Sequence, residues 1–131
     1  MEEKGAAIVK PVGGHAVYLN AGRMLPGISA AQFPAQALTC ALYLAGAVRG
    51  VEIGSVMAGR DPVSGENRVP PLELVRLAVP RRVYSSRQLE QAGDAAAEVV
   101  ADPGSVHGLE MTSEAPVLRH FTARFSPVGW R

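Results

Sequence analysis

One arginine, Arg76, stands in the middle of residues 72–79, where Leu72, Leu74, Val75, Leu77 and Val79 otherwise read as a strand with one apolar face. A guanidinium shut away from water without a partner costs several kcal/mol. Its planar fork suits a carboxylate, which it grips through two parallel hydrogen bonds. Two readings follow. If the carboxylate belongs to another residue, Arg76 is structural; if it belongs to a ligand, Arg76 is the centre of a site. A second chemically dense stretch is LRHFTARF, residues 118–125. There His120 lies beside Phe121, and an imidazole next to an aromatic ring can donate to, accept from or stack on a planar ligand. The alternative is a histidine hydrogen-bonded within the fold.

Other chemistries lack their residues. His15, His107 and His120 are far apart and without ligand spacing, which argues against a metal site. Cys40 is alone, so no disulfide framework or thiolate cluster forms; its apolar, alanine-rich surroundings predict a buried, inert thiol. Gly13-Gly14 lacks the Lys-Ser/Thr partner and following helix of a phosphate loop, and no nucleophile elbow is present. Arg81-Arg82 reads as a solvated pair ending a strand. The net charge is +1 and the arginines are scattered, so no nucleic acid or anionic membrane is implied as a partner. No stretch approaches the roughly 20 apolar residues of a membrane span. The opening Met1-Glu2-Glu3-Lys4 is not followed by an apolar secretory segment, so the expected compartment is the cytoplasm.

The elements that must position these residues follow from periodicity. At 131 residues, 47% hydrophobic and 19% charged, the chain reads as one ordinary globular domain. Residues 6–10 and 15–19 read as short strands split by the Pro11–Gly14 turn signal. Ser29-Ala-Ala-Gln32 is a capping-box pattern, but Pro34 fits a first helical turn far better than an interior. A short helical turn with a fresh start at Pro34, or a kink there, is therefore expected, with the main helix over 35–45 and Gly46 ending it. A strand is predicted over 51–57, an exposed loop over 59–71 and the Arg76 strand over 72–79. A second capping box, Ser85-Ser-Arg-Gln88, opens a helix with Leu89, Ala92, Ala96 and Val99 on one stripe, ended by Asp102-Pro103-Gly104. Residues 109–112 and 116–125 complete the strands. This order predicts an α+β fold: a small mixed sheet, largely antiparallel, with helices on one face.

Longer stretches carry a resemblance. PVGGHAVYLNAG, AQFPAQALTCALYLAGAVRGVEIGSVMAGRDP, LELVRLAVPRRVY and VLRHFTARF together look like the C-terminal portion of the β-eliminating lyases, tryptophanase and tyrosine phenol-lyase. The likeness extends over nearly the whole chain. It implies that residues 1–131 form the C-terminal small domain of a pyridoxal-phosphate enzyme of aminotransferase fold type I, closing over a site built mainly by a large domain.

By this resemblance Arg76 matches the arginine that clamps the substrate α-carboxylate, which favours the ligand reading. Ile53 falls where tyrosine phenol-lyase has a phenol-reading arginine and tryptophanase has isoleucine. His120 matches the tryptophanase histidine beside the leaving group, where the phenol-lyase has phenylalanine, and Phe121 would help position the indole. An apolar Ile53 suits an indole body, against which a cation would be desolvated unpaired. The implied reaction takes L-tryptophan to indole, pyruvate and ammonia, in a homo-oligomer using a monovalent cation. Asn20 and Gly27 depart from the pattern, standing where aspartate and histidine are expected. Lys4 and Lys10 are the only lysines and neither has the cofactor-lysine context, so the chain is not expected to be active alone. Alternatives are a non-catalytic amino-acid-binding or regulatory module, a remnant, or phenol-lyase-like specificity.

Overall fold

Val75 and Leu77, two residues apart, share one face of a strand and lie almost wholly out of solvent. The computed structural model describes residues 1–129. Their strand, β3 (Leu74–Ala78), is the centre of a three-stranded sheet between β1 (Ala16–Asn20) and β2 (Val51–Ile53). Both pairings are antiparallel, with Leu19 opposite Val75 and Val17 opposite Leu77. Helix α2 (Pro34–Gly46) covers this inner face with Leu38 and Leu42, and α4 (Ser86–Ala101) packs against α2, adding Ala95, Ala96 and Val99 to the same core. A single turn, α1 (Ala21–Met24), follows β1, and another, α3 (Ser55–Ala58), follows β2. The chain ends in a separate hairpin, β4 (Leu109–Ser113) with β5 (Arg124–Pro127), interrupted by the helical turn α5 (Arg119–Thr122).

The fold is α+β with antiparallel pairing and helices on one face, but as two small sheets rather than one. Pro34 restarts the helix: a 3-10 turn spans Ala30–Gln32, Phe33 takes a left-handed conformation at φ 53°, and α2 begins at Pro34. Ser29 therefore makes no side-chain cap, whereas the Ser85–Gln88 box forms in both directions. Gly46 is the last residue of α2 and Ala47 takes the left-handed turn. Gly46 instead permits close packing, since a Cβ there would lie 2.8 Å from Ala95 Cβ.

Several expectations change. Residues 6–10 make only an isolated bridge, Ile8 to Leu19. The strand over 51–57 stops at Ile53, and the tail strand gives way to α5 before β5. Leu89 is exposed, because α4 turns Gly93, Ala95, Ala96 and Val99 inward. Cys40 is exposed rather than buried; it lies two residues from both Leu38 and Leu42, on the opposite side of α2. No described helix is long and apolar enough to cross a membrane.

Candidate functional site

Alternation along β3 decides where Arg76 goes. The inward set is Glu73, Val75 and Leu77, so Arg76 shares the outer face with Leu74, away from the helices. Arg76 is half-buried there, not enclosed as its apolar neighbours suggested. It stands opposite Tyr18 on β1 and Val51 on β2. Ile53 lies opposite Leu74, on the same face and diagonal to Arg76, within reach of a long side chain. Among the described residues, no hydrogen bond or ion pair holds the Arg76 guanidinium. The buried arginine is Arg119, and every described arginine besides Arg76 and Arg119 is exposed. Arg76 is thus the one partly desolvated guanidinium of the described chain with no protein carboxylate.

His120 and Phe121 are linked to the segment after Ile53 through their neighbour. Arg119 donates from Nε to Val56 O at 2.8 Å and from Nη2 to Ser55 O at 2.6 Å. From Nη1 it donates to Asn67 Oδ1 at 2.7 Å and to Glu114 Oε2 at 3.0 Å. These bonds dock α5 on α3, whose first residue follows Ile53 by two. His120 is half-buried, Phe121 is 78% exposed, and their ring centroids are 4.1 Å apart. Leu118, just before α5, is held left-handed at φ 54°, which costs a non-glycine residue roughly 1–2 kcal/mol. Arg60 also donates to Glu114, at 2.5 Å. Partial burial raises the Glu114 carboxyl, but the bonds and charges of Arg119 and Arg60 outweigh this and hold it below the usual range.

Beneath Ile53 lies a polar cluster that the sequence reading missed. Glu52 and Glu73 both point to the inner side and are 6% and 8% exposed. Glu73 Oε1 accepts from the Ser55 backbone N–H at 3.0 Å and from the Ser55 hydroxyl. Glu52 accepts from the Val56 and Met57 N–H groups at 3.1 and 2.9 Å. Burial pushes the Glu52 carboxyl up to about 6 against these donors, with the Glu73 charge adding to the rise. Among the described residues, Glu73 Oε2 has no hydrogen-bond partner. A Cβ on Gly54 would overlap that oxygen and lie 2.7 Å from Glu52 Oε1, so the two carboxyls close around the bare glycine. The available signal was period two: Glu73 is in phase with Val75 and Leu77, and Glu52 is opposite Val75.

Ser55 therefore joins three segments. Its N–H and hydroxyl hold Glu73, three residues before Arg76; its carbonyl holds Arg119, next to His120; and Ile53 precedes it by two. The four expected residues Arg76, Ile53, His120 and Phe121 are carried by segments tied at this one peptide. The lysines are elsewhere engaged. Lys4 pairs with Asp94 and Lys10 with Glu2, all on exposed side chains, so neither stands ready for a carbonyl cofactor. The residues present do not fit pyridoxal phosphate by themselves.

Comparison with known proteins gives the class. No protein-family model matches the chain. Tyrosine phenol-lyase of Symbiobacterium thermophilum is 49% identical over 127 residues, which are 97% of this chain and 28% of that protein. Tryptophanase of Salinibacter ruber is also 49% identical over 127 residues, 97% of this chain and 27% of that protein. Tyrosine phenol-lyase of Nostoc punctiforme is 48% identical over 121 residues. The chain spans little more than a quarter of the length of the curated relatives it matches. The class is thus a small α+β domain that is similar, over nearly its whole length, to part of these enzymes. In particular, the chain belongs to the tryptophanase and tyrosine phenol-lyase family, as a small domain of it.

Proposed function

We propose that this chain is the C-terminal, substrate-clamping domain of a β-eliminating lyase that releases indole from L-tryptophan. The observation that carries the reading is Arg76: half-buried on an open sheet face, without a carboxylate partner among the described residues, beside Ile53. A substrate α-carboxylate supplies the missing bidentate partner and fixes one end of the amino acid. Ile53 gives an apolar wall for the indole body, and His120 and Phe121 cover its leaving side. Holding the substrate at both ends orients its Cα–H bond for the reaction. Covering Arg76, Val51 and Phe121 with the large domain excludes water and strengthens the carboxylate pair. Pyridoxal phosphate, a monovalent cation and the subunit contacts of a cytoplasmic homo-oligomer belong, in this reading, to the complete enzyme.

Both family names occur among relatives of equal identity, so the leaving group is assigned on Ile53 and His120 alone. The test replaces the matching segment of the Symbiobacterium tyrosine phenol-lyase with this chain and measures indole and phenol release. Indole release from tryptophan should exceed phenol release from tyrosine by roughly tenfold or more, because the phenol reader is gone. Arg76→Ala should lower kcat/KM for tryptophan by about a hundredfold, the scale of losing one partner of a desolvated charge pair. A chimera that still prefers tyrosine refutes the specificity, and an unaffected Arg76→Ala refutes the clamp. Tight tryptophan binding by the chain alone, measured by calorimetry, would instead mark a free-standing binding module.

A further inference from the structure

We propose that Arg119 is the positioning residue for the leaving-group end of the site: it fixes His120 and Phe121 relative to Ile53 and Arg76. This rests on the lyase reading above. The α5 turn has four residues, and Arg119 is the one among them that is buried. Phe121 is 78% exposed, so no apolar side chain of α5 anchors it in a core. The location of His120 and Phe121 is therefore set by the directions of guanidinium hydrogen bonds. Two of those bonds end on the carbonyls of Ser55 and Val56, immediately after Ile53 and Gly54. The same Ser55 is held by Glu73, at the root of the Arg76 strand. The span between the carboxylate clamp and the leaving-group residues thus runs through Glu73, Ser55 and Arg119. A planar five-donor head is needed to meet acceptors on α3, on Asn67 and on Glu114 together; an ammonium cannot match that fan.

The test uses a pair of substrates. In the chimera described above, kcat/KM is measured with tryptophan and with S-methyl-L-cysteine, whose small thiolate leaving group needs the clamp but not the aromatic pocket. Arg119→Lys should lower the tryptophan value roughly ten- to a hundredfold more than the S-methylcysteine value, as expected for a displaced contact surface. Glu114→Gln, which leaves the bonds to Ser55 and Val56 in place, should shift the ratio the same way but less. Equal losses on both substrates, or an unchanged ratio in both variants, overturn the proposal, since Arg119 would then only maintain the fold. If Arg119→Lys gives no soluble chimera, the ratio in Glu114→Gln decides. Amide hydrogen exchange on the chain itself reads the positioning without any chemistry. Arg119→Lys should speed exchange over 118–123 while β3 keeps its protection, and unchanged exchange there overturns the proposal. Arg76→Ala separates the two ideas: if it spares both substrates the lyase reading fails, while the exchange result still judges Arg119.

Discussion

Gly54 is bare because two carboxyls occupy the space that a side chain would need. Its φ of −150° lies outside the left-handed region, so the case for glycine rests on the space that the two carboxyls fill. Gly54→Ala must push Glu73 or Glu52 away from the N–H groups of Ser55, Val56 and Met57. A loss of about 1–3 kcal/mol is expected in a denaturant titration, as for overpacking elsewhere. Gly14→Ala, with nothing within 4 Å, is the control and should change little. A neutral Gly54→Ala would mean that the carboxyl cluster is not tightly closed. At this scale the sequence picked out Arg76 by its apolar neighbours but assigned it the wrong surroundings. The neighbours at 72 and 74 are apolar yet outward, while a glutamate at 73 is in the inward phase. Arg119 went unremarked because burial of an arginine by carbonyls from a distant turn leaves no periodic trace.

Two identical motifs separate local from tertiary control at the scale of elements. Ser29 and Ser85 each precede a glutamine by three residues, yet only Ser85 caps. After Ser29 the chain must meet Pro34, and a helix crossing that point would lose a backbone donor and meet the proline ring. The turn therefore closes at Phe33, and α2 begins with the proline where its missing N–H costs nothing. Ser85→Ala should cost about 1 kcal/mol and Ser29→Ala roughly half of that or less, read as shifts in urea midpoint. Equal shifts would contradict the cap assignments. The long helices were legible from their spacing, as was a break at Pro34, which the spacing left open between a restart and a kink. The short turns α3 and α5 were not, since four residues carry too little pattern to distinguish a turn from a strand end.

Across the whole molecule, buried and paired carboxyls give stability a defined pH dependence. Glu52 has a folded pKa of about 6, above its ordinary 4.5, so the folded state binds its proton more tightly. Its contribution is fully present below pH 4.5 and is lost as pH rises through 6, a cost of about 2 kcal/mol at neutrality. Glu114 and Asp61 run the other way, being held below their usual values by Arg119 and Arg60 and by the N–H groups of Ser64 and Val63. Their stabilisation is present above their unfolded pKa values and is lost on further acidification. The melting temperature should therefore rise from pH 7 towards pH 5 and fall below about pH 4.5, with Glu52→Gln flattening the first limb. A melting temperature that climbs steadily from pH 4 to 7 would exclude the raised Glu52.

The three-stranded sheet has a further consequence for how the chain behaves at high concentration. Its outer face carries Val51 in the open, with Leu72 exposed just ahead of β3, a surface that invites stacking between copies. Yet β2 offers a rim only three residues long, cut off by the turn into α3, and β1 is shielded by the bridge from Ile8. Neighbouring molecules find grease to touch but no lengthy row of free amides on which to crystallise a ribbon. Sticky association of this surface should accordingly dissolve on dilution instead of maturing into fibres.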